Sequence, residues 1–421
     1  MCSPQLTHPR TKPTFHDLLP SGVDMASDDR GVEIKGNSLD GMTILLGITG
    51  GIAAVDSVRV SRELRRHGAT VKVLMTHSAQ QVISPMALEW ASAGEVISDW
   101  DSDMKQLDDV DAILVTPATR NFLSSIDHGL MYNPLLMAVS AARARNSPIF
   151  CVPSMHEDLA NDPVTDDVVE KIRKQGIEVF WGPLEEGKRK TPGQVEIVAR
   201  LAHFINSRKK SRRSVVVTLG ATRSAIDDVR FVQNLSTGRT GWDIAGHLYR
   251  NGHDVTVVKG ATEVQDLDYI PLTIEATDPN EMLEELLALA NDDIDAWVHS
   301  AAVLDYLVDK QAEGKLASQQ GPLNVELQEG KKHIQELSEK CKDACRIGFK
   351  FESGVKRADL IHRAVAQIEK SNMTAVIANR LEDRGNKEMP RAYLVDRNAT
   401  HFPLQTQLDL CIAVQTLIER H

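Results

Sequence analysis

The amino-acid sequence predicts an α/β protein of two successive domains, each wound around a mostly parallel sheet. Three observations carry that prediction. Short, almost wholly apolar runs rich in Val, Ile and Leu recur along the chain, as strands covered on both faces require. Stretches of ten or more residues with helical spacing separate them, which is the order of βαβ units. The pattern breaks at the basic run RKKSRR (208–213) and then starts again. A chain of 421 residues is long enough for two such cores.

Residues 1–40 are rich in Pro, Ser, Asp and Gly and read as a poorly ordered tail. From Met42, MTILLGITGG is a buried strand ending in a glycine turn, and IAAVDSVRVSRELRRHG is a helix that Gly68 stops. ATVKVLMT is the next strand. DAILVTPAT, a helix over 134–145, the strand PIFCVPSMH and the helix PGQVEIVARLAHFI complete a first domain over 41–207. Residues 208–213 read as a solvated basic linker. The second domain, 214–421, repeats the texture with VVVTLG, a helix over 242–251, DVTVVKG, a helix over 280–290, and DAWVHSAAV. Its later strands are CRIGFKF, TAVIAN and AYLVD, and no sequence repeat relates the two halves.

Composition excludes several classes. A formal charge of −11 argues against a general nucleic-acid binder. No apolar run approaches the length of a membrane span, and the N-terminal stretch lacks the continuous apolar core of a signal peptide. Five sparse, irregular cysteines fit a reducing cytoplasm. Cys151 falls inside a strand and reads as a small core residue. Cys341 and Cys345 are expected in a helix, and with no second pair they are not read as a metal site.

The chemistry concentrates at strand ends. In VVVTLGATRSAIDDVRFVQNLSTGRTG (215–241) a strand delivers a Gly/Thr loop whose small residues let backbone N–H groups approach phosphates. Arg230 offers a fixed fork for phosphate or carboxylate. HSAAVLDY (299–306), EGKL (313–316), Lys332 and IGFKFE (347–352) follow. In the first half, GITGGIAA (47–54), MTHSA (75–79), PATRN (117–121) and PSMH (153–156) stand at successive strand ends, where open α/β sheets bind ligands.

Taken in this order, the motifs resemble the bifunctional phosphopantothenoylcysteine decarboxylase/phosphopantothenate–cysteine ligases of coenzyme A biosynthesis, in their archaeal-type form. The ligase loop keeps Thr222, Ile226, Asp227, Val229, Arg230, Asn234, Ser236, Gly238 and Gly241 of the family pattern, with Thr237 replacing a serine. That resemblance covers essentially all of 214–400. It implies a flavodoxin-like FMN domain followed by a Rossmann-like ligase domain. Gly50, Gly51, Ser78 and Thr119 would then hold FMN, while Asn121 and Met155 would line the flavin and the substrate carboxylate. Gly220, Ser236, Gly238, Lys332, Phe349 and Lys350 would line a nucleotide, CTP in the relatives, and Lys315 would take its triphosphate. Asn234 would hold the acyl intermediate, Arg230 would position the loop or substrate, and Asp305 would contact nucleotide or Mg²⁺. The implied substrates are 4′-phosphopantothenate and cysteine, handled by a cytoplasmic homo-oligomer assembled through the flavin domain.

The chain also departs from the family. Where relatives carry a catalytic histidine ahead of the strand at 111–115, this sequence has Asp103 or Met104. Asp103 and His156 are the candidate replacements, and His77 reads as a structural histidine. Arg120 stands at a small-residue position, and EEGKRK (185–190) replaces the flap cysteine of common bacterial members. More residues therefore support ligation than decarboxylation. The alternative reading is a ligase whose first domain is a catalytically inactive flavin-binding or oligomerisation module. A nicotinamide oxidoreductase is disfavoured, because neither glycine turn completes the dinucleotide fingerprint.

Overall fold

The computed structural model describes residues 29–421 apart from 292, 318–320 and 387. Residues 1–28 of the expected tail lie outside the described residues. The rest of that stretch is a correction to the expectation. Leu39 is wholly buried, Lys35 N–H donates to the Arg66 carbonyl at 2.8 Å, and Asn206 Nδ2 donates to the Ser38 carbonyl at 2.8 Å. An apolar side chain four residues before the first strand is enough to draw the chain onto the domain.

The first sheet has six parallel strands: β1 (Thr43–Ile48), β2 (Thr70–Met75), β3 (Val96–Ile97), β4 (Ala112–Ala118), β5 (Ile149–Pro153) and β6 (Ile177–Val179). Their order is β3-β2-β1-β4-β5-β6. Strand β1 alternates its burial between two apolar layers. Ile44, Leu46 and Ile48 face helices α1 (Ser57–Arg66), α2 (Pro85–Ser92) and α6 (Gln194–Asn206). Leu45 faces α3 (Arg120–Asp127), α4 (Pro134–Ala144) and α5 (Pro163–Lys174). Cys151 is fully buried in β5, and its thiol is pushed up to about 12 by that burial.

The second sheet has eight strands: β7 (Ser214–Leu219), β8 (Asp254–Lys259), β9 (Leu272–Glu275), β10 (Ala296–His299), β11 (Cys345–Glu352), β12 (Ala375–Arg380), β13 (Ala392–Val395) and β14 (His401–Leu404). The order β9-β8-β7-β10-β11-β12 repeats the winding of the first sheet, and β13 and β14 extend it antiparallel. Both sheets thus have the doubly wound 3-2-1-4-5-6 order, with a switch point beside the first strand of each domain. Helix α7 (Arg239–Arg250) covers β7 and β8, and α8 (Pro279–Leu289) packs on Val216, Val258 and Trp297. Helices α9 (Arg357–Ser371) and α10 (Gln407–Arg420) complete the layers.

Two expectations need adjustment. Cys341 lies in a turn and Cys345 begins β11, rather than sharing a helix. Pairing of Cys345 with Ala296 in the ladder outweighs local helical spacing. The basic run at 208–213 is a pinned turn: Arg212 forks onto Asp254 at 2.8 and 2.6 Å, and Arg213 N–H donates to His253 Nδ1 at 3.2 Å. Across it, α6 and α7 are joined by the stacked rings of His203 and Tyr249, 4.1 Å apart, and by Asn206 Nδ2 to the Arg250 carbonyl at 2.8 Å.

Candidate functional sites

In the first domain the ends of β1, β2 and β4 are stitched together by small hydroxyl residues. Thr49 Oγ1 donates to the Pro117 carbonyl at 2.8 Å and accepts from Thr119 N–H at 3.0 Å. Thr119 caps α3 by accepting from Phe122 N–H at 3.4 Å, placing a helix N-terminus at the crevice. Gly50 and Gly51 serve the two expected hydroxyl residues. A Cβ on Gly50 would lie 2.4 Å from Ser78 Cβ, and one on Gly51 would touch Thr119 Cγ2 at 3.7 Å. Ser78 is exposed, and beside it Ile52 is 80 % exposed. Hydroxyls and close-lying backbone suit a phosphate, and an uncovered aliphatic suits a flat ring, so these residues fit FMN.

Asn121 lies in the first turn of α3, and Met155 follows β5. Asn121 Nδ2 donates to Tyr132 Oη at 2.9 Å, and Tyr132 Oη lies 3.1 Å from Ser125 Oγ. Sequence reading missed Tyr132. Its signal was an aromatic in the short turn between two helices, beside Leu130 and Met131, all three exposed. Met155 is buried where its strand pairs with Arg189, and the next residue, His156, is 55 % exposed. His156 Nδ1 accepts weakly from Asp158 N–H at 3.4 Å and lies 3.2 Å from Asp158 Oδ2. Asp103 occupies an exposed turn, its N–H on Asp101 Oδ1 at 2.8 Å. Among the described residues no hydrogen bond joins Asp103 or His156 to Asn121. His77 is exposed at the start of a short helical turn, so the structural role expected of it is not a core role. Arg120 is held away on α5 by Thr165 Oγ1 at 2.8 Å and Asp162 Oδ2 at 2.7 Å.

In the second domain the expected residues gather at the carboxyl ends of β7, β10 and β11. Gly220 (φ +80°) and Gly238 (φ +76°) adopt left-handed backbone that favours glycine, and they approach each other across Thr262. Gly238 is the N-cap of α7, with its N–H 3.4 Å from Ser236 Oγ. Asn234 Nδ2 donates to the carbonyls of Ala302 (3.3 Å) and Val303 (3.0 Å), which leaves its Oδ1 free of those contacts. Asp305 pairs with Lys332 Nζ at 3.4 Å, and its carbonyl accepts from Gly330 N–H at 2.9 Å. Lys350 Nζ rests 3.1 Å from Glu352 Oε1, with Phe349 partly buried beside it on β11. Among the described residues no group of three His, Cys, Asp or Glu side chains is placed to hold a metal.

Arg230 is less open than expected. Its Nη1 donates to Asp227 Oδ2 and reaches the Leu316 carbonyl at 3.5 Å. Asp227 is the residue whose importance the motif did not convey. Buried almost completely, it takes N–H donors from Val229 (2.9 Å), Arg230 (2.7 Å) and Leu316 (3.1 Å). Burial alone would raise the carboxyl, but those three N–H groups and the guanidinium outweigh it and hold the pKa below the usual aspartate value. Lys315, next to Leu316, is exposed.

The comparisons match both halves of the chain. The family model described as "Flavoprotein" matches residues 33–210, and that described as "DNA/pantothenate metabolism flavoprotein C-terminal domain" matches 210–420. Two curated relatives are both named coenzyme A biosynthesis bifunctional protein CoaBC. The one from Thermococcus kodakarensis is 34% identical over 92% of this chain and 97% of its own length. The one from Methanocaldococcus jannaschii is 32% identical over 82% and 85%. A solved structure, the DNA/pantothenate metabolism flavoprotein from Streptococcus pneumoniae, is 24% identical with a TM-score of 0.45, covering 50% of this chain and 100% of that one. With both halves matched in order and relatives above 30% identity along nearly the whole length, the chain belongs to the CoaBC family of coenzyme A biosynthesis bifunctional proteins.

Proposed function

We propose that this chain carries out two successive steps of coenzyme A biosynthesis. Its second domain joins cysteine to 4′-phosphopantothenate, and its first domain decarboxylates the 4′-phosphopantothenoylcysteine so formed to 4′-phosphopantetheine. The observation that carries the ligase reading is the convergence of Gly220, Gly238, Asn234, Asp305 and Lys350 at one set of strand ends. An inactive first domain loses support because the 34%-identical relative, named a bifunctional protein, aligns over both halves.

The chemistry needs an activated acyl group. The phosphopantothenate carboxylate attacks the α-phosphate of CTP, pyrophosphate leaves, and the cysteine amine then displaces CMP. Small-residue loops at Gly220 and Ser236–Gly238 admit the phosphates, and Lys315, Lys332 and Lys350 supply cations for charge that develops there. Mg²⁺ would arrive with the triphosphate and meet Asp305, since the described residues offer no cluster of three or more ligating side chains. Asn234, its amide hydrogens already on two carbonyls, presents Oδ1 as an acceptor to an N–H of the incoming cysteine amine or to a donor group of the acyl-nucleotide.

In the first domain, Ser78, Thr119 and the N-terminus of α3 would hold the FMN phosphate, and Asn121, oriented by Tyr132, would hold the carboxylate that leaves. When bound, FMN supplies the oxidation of the thiol-bearing carbon that makes loss of carbon dioxide feasible, and returns the electrons afterwards. Exposed Ile52, Leu130 and Met131 around that crevice favour assembly with further copies of the chain through this domain. The free, buried cysteines 151, 341, 345 and 411 favour a cytoplasmic setting.

The test is a coupled assay on purified protein with 4′-phosphopantothenate, cysteine, Mg²⁺ and either CTP or ATP. Pyrophosphate and carbon dioxide are followed separately, and the protein is scanned for bound flavin. Both products from a yellow protein are expected with CTP. Pyrophosphate without carbon dioxide would remove the decarboxylase half, and neither product would remove the whole reading.

A further inference from the structure

The segment from Ala302 to Leu316, which carries both Asp305 and Lys315, does not run free over the ligase site. It is fastened along residues 222–227 at regular intervals. Leu304 N–H donates to Thr222 Oγ1 at 2.9 Å, Val308 N–H to Ser224 Oγ at 2.9 Å, Ala312 N–H to the Ile226 carbonyl at 2.9 Å, and Leu316 N–H to Asp227 Oδ2 at 3.1 Å. Donors fall every fourth residue on the strap, and acceptors advance along the opposing segment. Three of the four acceptors are buried side chains, Thr222, Ser224 and Asp227. The last fastening lies one residue beyond Lys315.

We propose that Asp227 is the latch of this strap, a positioning residue that sets where Lys315 stands over the nucleotide phosphates. The proposal rests on the ligase reading given above. Its physical basis is the division of labour on one carboxylate. Oδ1 accepts from Val229 and Arg230 N–H, fixing its own loop, while Oδ2 accepts from Leu316 N–H and the Arg230 guanidinium, fixing the strap. Four donors leave no room for a neutral amide. Asparagine in this place has one acceptor edge and one donor edge, so it satisfies one side and opposes the other.

The test uses the full-length protein and steady-state pyrophosphate release with CTP. Asp227→Asn is expected to lower kcat/KM for the nucleotide by about 10²-fold, the scale of a one-ångström misplacement. Carbon dioxide release from supplied 4′-phosphopantothenoylcysteine and the flavin spectrum should stay at the wild-type level and report that the chain is folded. Leu316→Pro removes the N–H while leaving Asp227 in place, and should reproduce the loss should Asp227→Asn not fold. Lys315→Ala separates latch from scaffold: combined with it, Asp227→Asn should cost less than threefold more, because the group it positions is gone. Asp227→Asn within twofold of wild type, or full additivity with Lys315→Ala, overturns the latch. Wild-type activity in Lys315→Ala itself overturns the ligase assignment of the strap, and the latch with it.

Discussion

Gly238→Ala is the sharpest test of how the ligase loop is built. The native residue sits at φ +76° and ψ −8° as the N-cap of α7. Left-handed backbone costs a non-glycine residue roughly 1–2 kcal/mol. The new methyl would also lie 2.7 Å from Thr262 Cγ2 and 3.2 Å from Thr262 Cβ. Carbon atoms in good contact stand about 3.5–4.0 Å apart, so one side must retreat by roughly 1 Å. Overpacking of this kind adds about 1–3 kcal/mol. If the fold bears the strain, unfolding free energy drops by about 2–5 kcal/mol, the sum of those two ranges. If the loop moves instead, the phosphate-facing backbone is displaced and ligation falls by about 10²-fold. Denaturant unfolding read beside pyrophosphate release distinguishes the two. Adding Thr262→Ser removes the closer of the two contacts but not the φ term, so it should recover part of the loss and never all of it. A Gly238→Ala protein with native stability and ligation within threefold of wild type would refute the reasoning.

Three further outcomes are expected. Asn234→Ala should abolish formation of the cysteine-ligated product while the flavin spectrum persists, and Asn234→Asp should do no better, since a carboxylate oxygen would face the Ala302 and Val303 carbonyls; retained ligation in either removes Asn234 from the site. Tyr132→Phe deletes the acceptor of Asn121 Nδ2 and should slow carbon dioxide release by about tenfold without touching pyrophosphate release, the order of one lost hydrogen bond, and equal decarboxylation rates would dismiss that contact. Acid sensitivity should come from buried histidines: burial drives His247 down to about 4 and His299 to about 3. Between pH 6.5 and those values the unfolded chain binds protons that the native state refuses. Stability is therefore complete above pH 6.5 and falls by up to about 1.4 kcal/mol per pH unit for each group on acidification. His299→Phe should flatten the pH dependence of unfolding by about that slope between pH 6 and 4, and an unchanged slope would count against it.

The parallel framework was readable from the chain because its strands are buried on both faces and announce themselves as apolar runs. The helix expected over 134–145 ends at Ala144, and the one expected over 242–251 starts at Arg239, a turn earlier. That early start has a local cause, since Gly238 caps the helix from left-handed backbone and the polar Arg239 and Thr240 give no apolar signal. Short ribbons escaped notice. Tyr306–Val308 pairs with Leu327–Glu329, three residues against three, too few for a period and too far apart in sequence for a turn signal. The site was legible as residue types but not as commitments. Nothing local says that Arg230 spends its guanidinium on Asp227, or that Asn121 turns towards Tyr132. Such choices depend on which segments the fold makes neighbours. Cys345 illustrates the same point from the other side, where its distant ladder partner Ala296 overrode local spacing.

The stacking of His203 on Tyr249 and the bond from Asn206 to Arg250 have a consequence for how the two halves can be inherited and handled. A chain with two chemistries usually invites dissection at its domain boundary. Here the boundary is a seam, with Asn206 lying so close to Gly252 that a Cβ there would meet its backbone carbon at 2.4 Å. Cutting at the basic turn would strip an aromatic face and a buried amide from both products at once. Mechanically residues 32–421 are therefore one body bearing two workshops, and heat or denaturant applied to either half is felt by the other.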